Sequence, residues 1–473
     1  MQSFLLTYPQ EVKKMEKAFL EELLKAQKNF FWSGKTRNIS FRIEALNKLK
    51  DTIKAHEEEV LGAIYKDLRK TSMDGYATEI AGVYDEINYA IKNVRSWSKV
   101  QKVETPVFLF PSKSYVHKEP FGVTLIIAPW NYPFQLLMLP LAGAIAAGNT
   151  AILKPSEISA NTAAVMEKII NKVFPKEYLH VVQGGANETQ TLLEMPLDYI
   201  FFTGSVAVGK AVIAAAAKNL IPLTLELGGK SPAIVHKDAD LILAARKIAW
   251  GKFINAGQTC IAPDYVLVHT NRKDDFLKEL KKAIRNFYGE DAAAHPRYCR
   301  IINDRHFQRL NAMLNNANTL SGGKTNAADR YIEPTIIYPV QWDDPIMRDE
   351  IFGPLLPILT YSDLDDIIRR IRERPEPLSL YLFSDDQAVQ TKVIDEIPFG
   401  GGAINNTIFH IVSHFMPFGG VGTSGMGAYH GKVSFDTFSH AKSILKSSSK
   451  FDPLAAVYPH KKFFMKIMRK IIG

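Results

Sequence analysis

Between residues 43 and 97 apolar positions recur three and four apart. Ile43, Leu46, Leu49 and Ile53 share one face, and Val60, Leu61 and Ile64 another, with charged residues between them. That spacing predicts helices, and a further helical pattern covers residues 76–97. The pattern then shortens. Val107-Phe108-Leu109-Phe110 and Tyr115-Val116-His117 flank Pro111-Ser112-Lys113-Ser114, which predicts a hairpin within residues 103–120 that leaves the main body. From 122 to 226 short β-rich runs (123–128, 150–153, 180–182, 199–202 and 222–226) alternate with helical stretches such as 160–173 and 206–217. Such alternation implies a parallel sheet covered on both faces, with ligands at its strand ends. A second alternating block runs from 231 to about 410. Its helices are expected at 238–254, 274–288 and 362–371, and its strands at 265–268, 355–359, 378–383 and 402–404. Gly228-Gly229 marks the boundary between the two blocks.

A chain of 473 residues is too long for one core, so two or three domains are expected. Two cysteines build no disulfide framework, which favours a reducing, cytoplasmic setting. Phe4-Leu5-Leu6 is too short an apolar core for a secretory leader, and no apolar run is long enough to span a bilayer. The net charge of +9 suggests nucleic acid until it is located. Residues 441–473 carry eight basic residues against one acid, so seven of the nine charges sit in the tail. The body is near neutral, and nucleic-acid binding is not expected of it. In residues 451–473, Phe464, Ile467, Met468 and Ile471 fall at helical spacing between Lys462, Lys466, Arg469 and Lys470. That amphipathic tail either lies on an anionic membrane or packs on the protein with its lysines in water.

Candidate chemistry centres on Cys260 in Gly257-Gln258-Thr259-Cys260. An idle cysteine is usually a small buried hydrophobe; one in a polar, glycine-bearing stretch is placed to react with a carbonyl. Glu226 ends an apolar strand before Leu227-Gly228-Gly229 and reads either as a general base with a raised pKa or as a surface glutamate. Asn131, between Trp130 and Tyr132-Pro133, is an oxyanion donor or a turn residue. The strand ending at Phe202 runs through Thr203-Gly204-Ser205 to Gly209 and a helix, which cradles phosphate or simply turns; G-x-G-x-x-G is absent. Lys154 and Glu157 grip ribose hydroxyls or stay solvated. Glu350-Ile351-Phe352-Gly353-Pro354 and Pro417-Phe418-Gly419-Gly420 read alone as loops, and His295 and Cys299 are too isolated for a zinc site.

Together these segments, with Trp130-Asn131-Tyr132-Pro133-Phe134, Lys154-Pro155-Ser156-Glu157 and Leu225-Glu226-Leu227-Gly228-Gly229-Lys230, stand in one order that resembles the aldehyde dehydrogenase superfamily. The ending Val421-Gly422-Thr423-Ser424-Gly425-Met426-Gly427-Ala428-Tyr429-His430-Gly431-Lys432 is similar to the class 3 branch, which includes fatty aldehyde dehydrogenases. The resemblance implies an α/β fold: an atypical five-stranded Rossmann-type NAD(P) domain (1–102 and 121–227), a catalytic α/β domain (228–424) and a β-hairpin oligomerisation arm (103–120 and 425–450). It implies Cys260 as nucleophile, Glu226 as base, and Asn131 with the Cys260 N–H as oxyanion hole. Lys154 and Glu157 would face the adenosine ribose, Gly204, Ser205 and Gly209 the pyrophosphate, and Glu350 and Phe352 the nicotinamide end. NAD or NADP is the implied cofactor, a homodimer the implied assembly, and no metal is required. Tyr132, Ile411 and Phe418, with Ile408, Phe409 and Val412, are expected to form an apolar funnel for medium or long aliphatic, or aromatic, aldehydes. Glu226 favours hydrolysis over acyl transfer to coenzyme A. The rival readings are an acyl-transferring or semialdehyde-specific relative and a non-catalytic, membrane-binding protein that keeps the fold.

Overall fold

The computed structural model describes residues 10–450, with side chains from Lys17 onward, and in the tail Phe463, Lys466, Arg469 and Lys470, which are helical and exposed. The apolar face expected for the tail lies outside the described residues. Five strands form the first parallel sheet, in the order Leu179–Val181, Thr150–Lys154, Val123–Ile127, Tyr199–Thr203 and Leu223–Glu226. The two-residue strand Gly425–Met426 adds an antiparallel edge, Gly425 opposite Glu226. All five positions of Val123–Ile127 are buried, as are all five of Tyr199–Thr203. Parallel strands covered on both faces read this way. Within Val123–Ile127 successive side chains enter different cores: Val123, Leu125 and Ile127 join one cluster and Ile126 the other.

The chain order steps one way from Val123–Ile127 through Thr150–Lys154 to Leu179–Val181. It then returns to the other side of Val123–Ile127 with Tyr199–Thr203. The loops after Ile127 and Thr203 therefore flank a topological switch point, where open α/β sheets open a crevice at their carboxyl edge. Asn131, Lys154, Gly204, Ser205 and Glu226 all lie at or just beyond that edge.

A second sheet runs Thr319–Ser321, Thr335–Ile337, Leu355–Tyr361, Tyr265–His269, Pro232–Val235, Ser379–Phe383 and Gly401–Ile404. It is parallel except at its Thr319–Ser321 edge and has its own core. The helices expected at 238–254, 274–288 and 362–371 are observed as Leu241–Phe253, Lys273–Tyr288 and Leu364–Arg372. The hairpin is also observed, with one change. Residues 107–110, read as a strand, contain the exposed 3-10 turn Val107–Leu109, and the partner of Lys113–Pro120 is Gln101–Val103 upstream. Pro106 and Pro111 bracket the turn, and prolines supply no ladder donor. Lys113–Pro120 pairs on its other side with Ser439–Lys446, closing a three-stranded antiparallel sheet.

Helices Asp304–Asn315, Gln387–Glu396 and, nearest the site, Gln135–Ala147 are not among those expected from the periodicity. Gln135–Ala147 is buried from Leu136 to its end and includes Pro140. It packs between helices Ile39–Ala55 and Ala81–Trp97 and the strands Val123–Ile127 and Thr150–Lys154. A helix apolar all round has no amphipathic stripe to detect. Its one sequence mark is the terminating Gly148 at φ 98°.

Candidate active site

Cys260 follows a backbone reversal. Helix Leu241–Phe253 ends, and Asn255, Ala256 and Gly257 take φ values of 52°, 51° and 74°. Three consecutive left-handed residues are costly unless the surroundings enforce them. The enforcement is visible. A Cβ on Gly257 would lie 2.3 Å from the Gly353 carbonyl oxygen. The fully buried Gln258 side chain donates to the Asn255 and Arg300 carbonyls (3.0 Å each) and accepts from Ile302 N–H at 3.0 Å. The sequence reading placed Gln258 in a motif without this role.

Asn131 approaches the same loop from the first sheet. It is buried, and its Nδ2 donates to the Gln258 carbonyl at 3.1 Å. Its own carbonyl accepts from Asn255 Nδ2 at 3.0 Å. Next to it, the Tyr132 hydroxyl shares a 2.7 Å hydrogen bond with Thr259 Oγ1. Residues 131 and 132 are thus pinned to residues 255, 258 and 259.

Cys260 is half-buried and free. Burial, with Glu350 and Glu226 nearby, pushes its thiol up to about 12, while the N–H groups of Cys260 and Ile261 pull it back. Glu226 is 2% exposed, and neither carboxylate oxygen has a hydrogen-bond partner among the described residues. Desolvation raises its pKa well above the usual carboxylate range. Native structures rarely tolerate such a group without use for it. Glu350 sits over the Gly228-Gly229 backbone. A Cβ on Gly228 would be 2.1 Å from its Oε2, and the Gly229 N–H hydrogen-bonds to it. Burial, followed by Asp264, lifts Glu350 to about 8. Its loop is braced by Asp264, which accepts from Ile351 N–H at 3.1 Å and pairs with Lys230 at 2.6 Å. Phe352, at φ 49°, meets Trp130 edge-on at 5.4 Å.

The remaining candidates divide. Lys154 is buried, its Nζ donating, among the described residues, only to the Pro155 carbonyl at 2.8 Å, and burial lowers its pKa. Glu157 is exposed three residues on. Ser205 caps helix Val206–Ala217 and is exposed beside Gly204. Gly209 is buried against Leu227, where a Cβ would lie 2.6 Å from that side chain, so the absence of a side chain lets the helix close on the Leu227 loop. In the 3-10 segment Phe409–Val412, Ile411 and the preceding Ile408 pack on the same core cluster as Cys260. Phe409 and Val412 face outward, and Phe409 stacks on Trp250 at 5.0 Å. Phe418 lies under Tyr429 and His430. Tyr132, expected as a funnel wall, has its hydroxyl committed to Thr259. Two buried pairs carry no sequence signal of their own: Lys70–Glu79 behind Tyr132, nine residues apart across a helix end and a π-helical turn, and the brace of Lys230 with Asp264, of which only Lys230 falls in a motif.

A half-buried thiol within the electrostatic reach of a buried carboxylate that has no partner among the described residues, with a side-chain amide pinned to the same loop, suits attack on a carbonyl. Comparison with known proteins agrees. The chain matches the Aldehyde dehydrogenase family over residues 7–444. It is 52% identical over 444 residues to a 4,4'-diaponeurosporen-aldehyde dehydrogenase of Staphylococcus aureus, covering 93% of this chain and 97% of that protein. It is 46% identical over 426 residues to a dimeric NADP-preferring aldehyde dehydrogenase of Canis lupus familiaris, covering 90% and 94% of the two chains. Among solved structures, the substrate-bound state of Staphylococcus aureus AldH superposes with a TM-score of 0.93 at 51% identity, covering 95% of this chain and 98% of the other. From residues, geometry and relatives alike, the chain belongs to the aldehyde dehydrogenase family, on its class 3 side.

Proposed function

We propose that the protein oxidises apolar aldehydes to carboxylic acids with NAD or NADP, using Cys260 as nucleophile, Asn131 and the Cys260 N–H as oxyanion donors, and Glu226 as base. The observation that carries this reading is the unpartnered, buried Glu226 carboxylate beside a half-buried thiol. The Cys260 thiol gives its proton to the Glu226 carboxylate, which releases it to solvent; the sulfur adds to the aldehyde carbon, and the carbonyl oxygen takes up negative charge between Asn131 Nδ2 and backbone N–H groups. One such donor typically contributes about 3 to 4 kcal/mol. NAD(P)⁺, when bound, supplies the acceptor for the hydride that the substrate carbon gives up. The acyl group is left as a thioester on Cys260. Glu226 takes a proton from water, the hydroxide attacks the thioester, and the acid departs with the thiol restored.

The donor set at the carboxyl edge fits a dinucleotide. It holds the buried Lys154 ammonium, the Glu157 and Glu350 carboxylates for ribose hydroxyls, and the N-terminus of Val206–Ala217 for a pyrophosphate. The proposed domains are 1–102 with 121–227 for cofactor, 228–424 for catalysis, and an arm of 103–120 with 425–450. Ile408 and Ile411, apolar and packed on the core cluster that Cys260 also borders, favour aliphatic or aromatic substrates over charged ones.

Reduced cofactor should appear in an aldehyde series from acetaldehyde through hexanal to hexadecanal, plus benzaldehyde, with kcat/KM rising with apolar size. Coenzyme A should not speed turnover. A flat response across all aldehydes with both cofactors overturns the reading. The exposed strand Ser439–Lys446 and the exposed apolar turn at Val107 (80%) and Phe110 (73%) support a homodimer through the arm. Contact of the basic tail with anionic membrane is a further part of this proposal. Deleting residues 459–473 should abolish pelleting with anionic liposomes; full-length chain that never pellets refutes it.

A further inference from the structure

Two charged side chains lie fully buried behind the oxyanion loop, and the reaction uses neither. Lys70 Nζ pairs with Glu79 Oε1 at 2.7 Å, the two residues 2% and 0% exposed. Each is delivered by unusual backbone. Lys70 follows Arg69, whose φ of 58° ends helix Glu57–Leu68. Glu79 lies in the π-helical turn Tyr76–Ile80, a distortion that recurs at functional sites. A stabilising role alone does not account for them, because well-packed apolar residues of similar volume usually serve stability as well as a buried ion pair.

What the pair touches is specific. Lys70 Nζ stands 4.1 Å from the centroid of the Tyr132 ring. The second oxygen of Glu79 accepts from the N–H groups of Phe134 (3.1 Å) and Gln135 (3.2 Å). Phe134 itself offers no cap to helix Gln135–Ala147, so Glu79 caps that helix from a distant segment. One end of the loop 130–134 is therefore clamped by Glu79, its middle is held over Lys70, and its outer edge is fastened through Tyr132 hydroxyl to Thr259. Asn131 is the residue between the strand and this clamp. The same peptide stretch that carries Lys70 also holds the other side of the cysteine loop. The Leu68 carbonyl accepts from Arg300 N–H at 3.1 Å, and the Arg300 carbonyl accepts from Gln258.

We propose that Lys70 and Glu79 are positioning residues that fix Asn131 relative to Cys260, so that the oxyanion donors are in register with the attacking sulfur. They touch neither substrate nor cofactor. This rests on the proposed roles of Asn131 and Cys260. Distances in an oxyanion hole matter at the scale of tenths of an ångström, because the donors must meet the position that the oxygen reaches during reaction.

The test separates oxyanion positioning from general loosening. Acyl transfer from p-nitrophenyl acetate to Cys260, read as p-nitrophenolate release, needs oxyanion donors but no cofactor. Alkylation of Cys260 by iodoacetamide proceeds at a saturated carbon and forms no oxyanion. Lys70→Met alone would leave Glu79 as an orphan charge and risks misfolding, so the variant of choice is Lys70→Met/Glu79→Gln, which removes both charges. Acylation is expected to fall at least tenfold while alkylation changes less than twofold. Tyr132→Phe, which cuts only the link to Thr259, should give the same split at smaller size. Acylation and alkylation falling together, or acylation unchanged, overturns the proposal. Asn131→Ala is measured alongside: if acylation ignores that change as well, the oxyanion reading itself has failed rather than its positioning.

Discussion

Glu226 shows what one residue contributes and costs. Its carboxylate is desolvated and unpartnered, so the protonated form is favoured in the folded protein and a proton must leave before it can act as base. Because the folded-state pKa is raised, the stability associated with this group is fully present below the ordinary carboxylate range. It declines from about pH 4.5 upward and is lost as pH rises through the folded value. Glu226→Gln, neutral at every pH, should therefore unfold later than wild type, with a gap in melting temperature that widens from pH 5 to pH 9. The same variant should release one equivalent of reduced cofactor per site and then turn over at least about 100-fold more slowly, because thioester hydrolysis has lost its base. A gap that narrows with pH, or steady turnover after the first equivalent, contradicts the assignment. Asn131→Ala should lower kcat by about 100- to 1000-fold with a far smaller change in KM, as expected for a donor that acts on the developing oxyanion. At this scale the sequence was informative about identity: Cys260, Glu226 and Asn131 stand out in their motifs. It was silent about state, because a raised pKa arises from neighbours that are distant in the chain.

Among the elements, the reversal at 255–257 leads directly into the stretch that carries Cys260 and is expected to aim the thiol. Gly257 has φ 74° and no room for a side chain, with the Gly353 carbonyl 2.3 Å from a would-be Cβ. Gly257→Ala should destabilise the fold by about 1 to 3 kcal/mol, read by denaturant titration, and slow Cys260 alkylation as the loop moves away from Gly353. Unchanged alkylation would mean that the reversal does not aim the sulfur. Element types were largely legible where periodicity was strong, as at 160–173, 274–288 and 362–371, which match Ala160–Val173, Lys273–Tyr288 and Leu364–Arg372. They were illegible where it was absent. The uniformly apolar Gln135–Ala147 has no stripe, and the apolar 107–110 reads as strand although its flanking prolines favour a turn.

For the molecule as a whole, the two parallel sheets meet at the cysteine loop. Asn131 comes from the end of the first and Cys260 from the approach to the second, 129 positions apart in sequence. The arm sheet leaves an apolar turn and a nearly fully exposed strand in water. Sedimentation is therefore expected to give twice the 53.0 kDa chain mass, and Phe108→Asp/Phe110→Asp should shift it toward one chain. A wild-type monomer would remove the arm from the assembly. The sequence by itself determined the α/β class, the order of the motifs, the kind of chemistry and the confinement of excess charge to the tail. Those are local properties, written in periodicity and in short runs of residue types. Only the tertiary structure decided that Gln258 locks to Ile302, that Glu226 is left without a partner, that Gly209 faces Leu227, and that Lys70 and Glu79 stand behind Tyr132. Each of these depends on which distant segments pack together, and packing among segments leaves no periodic trace in any one of them.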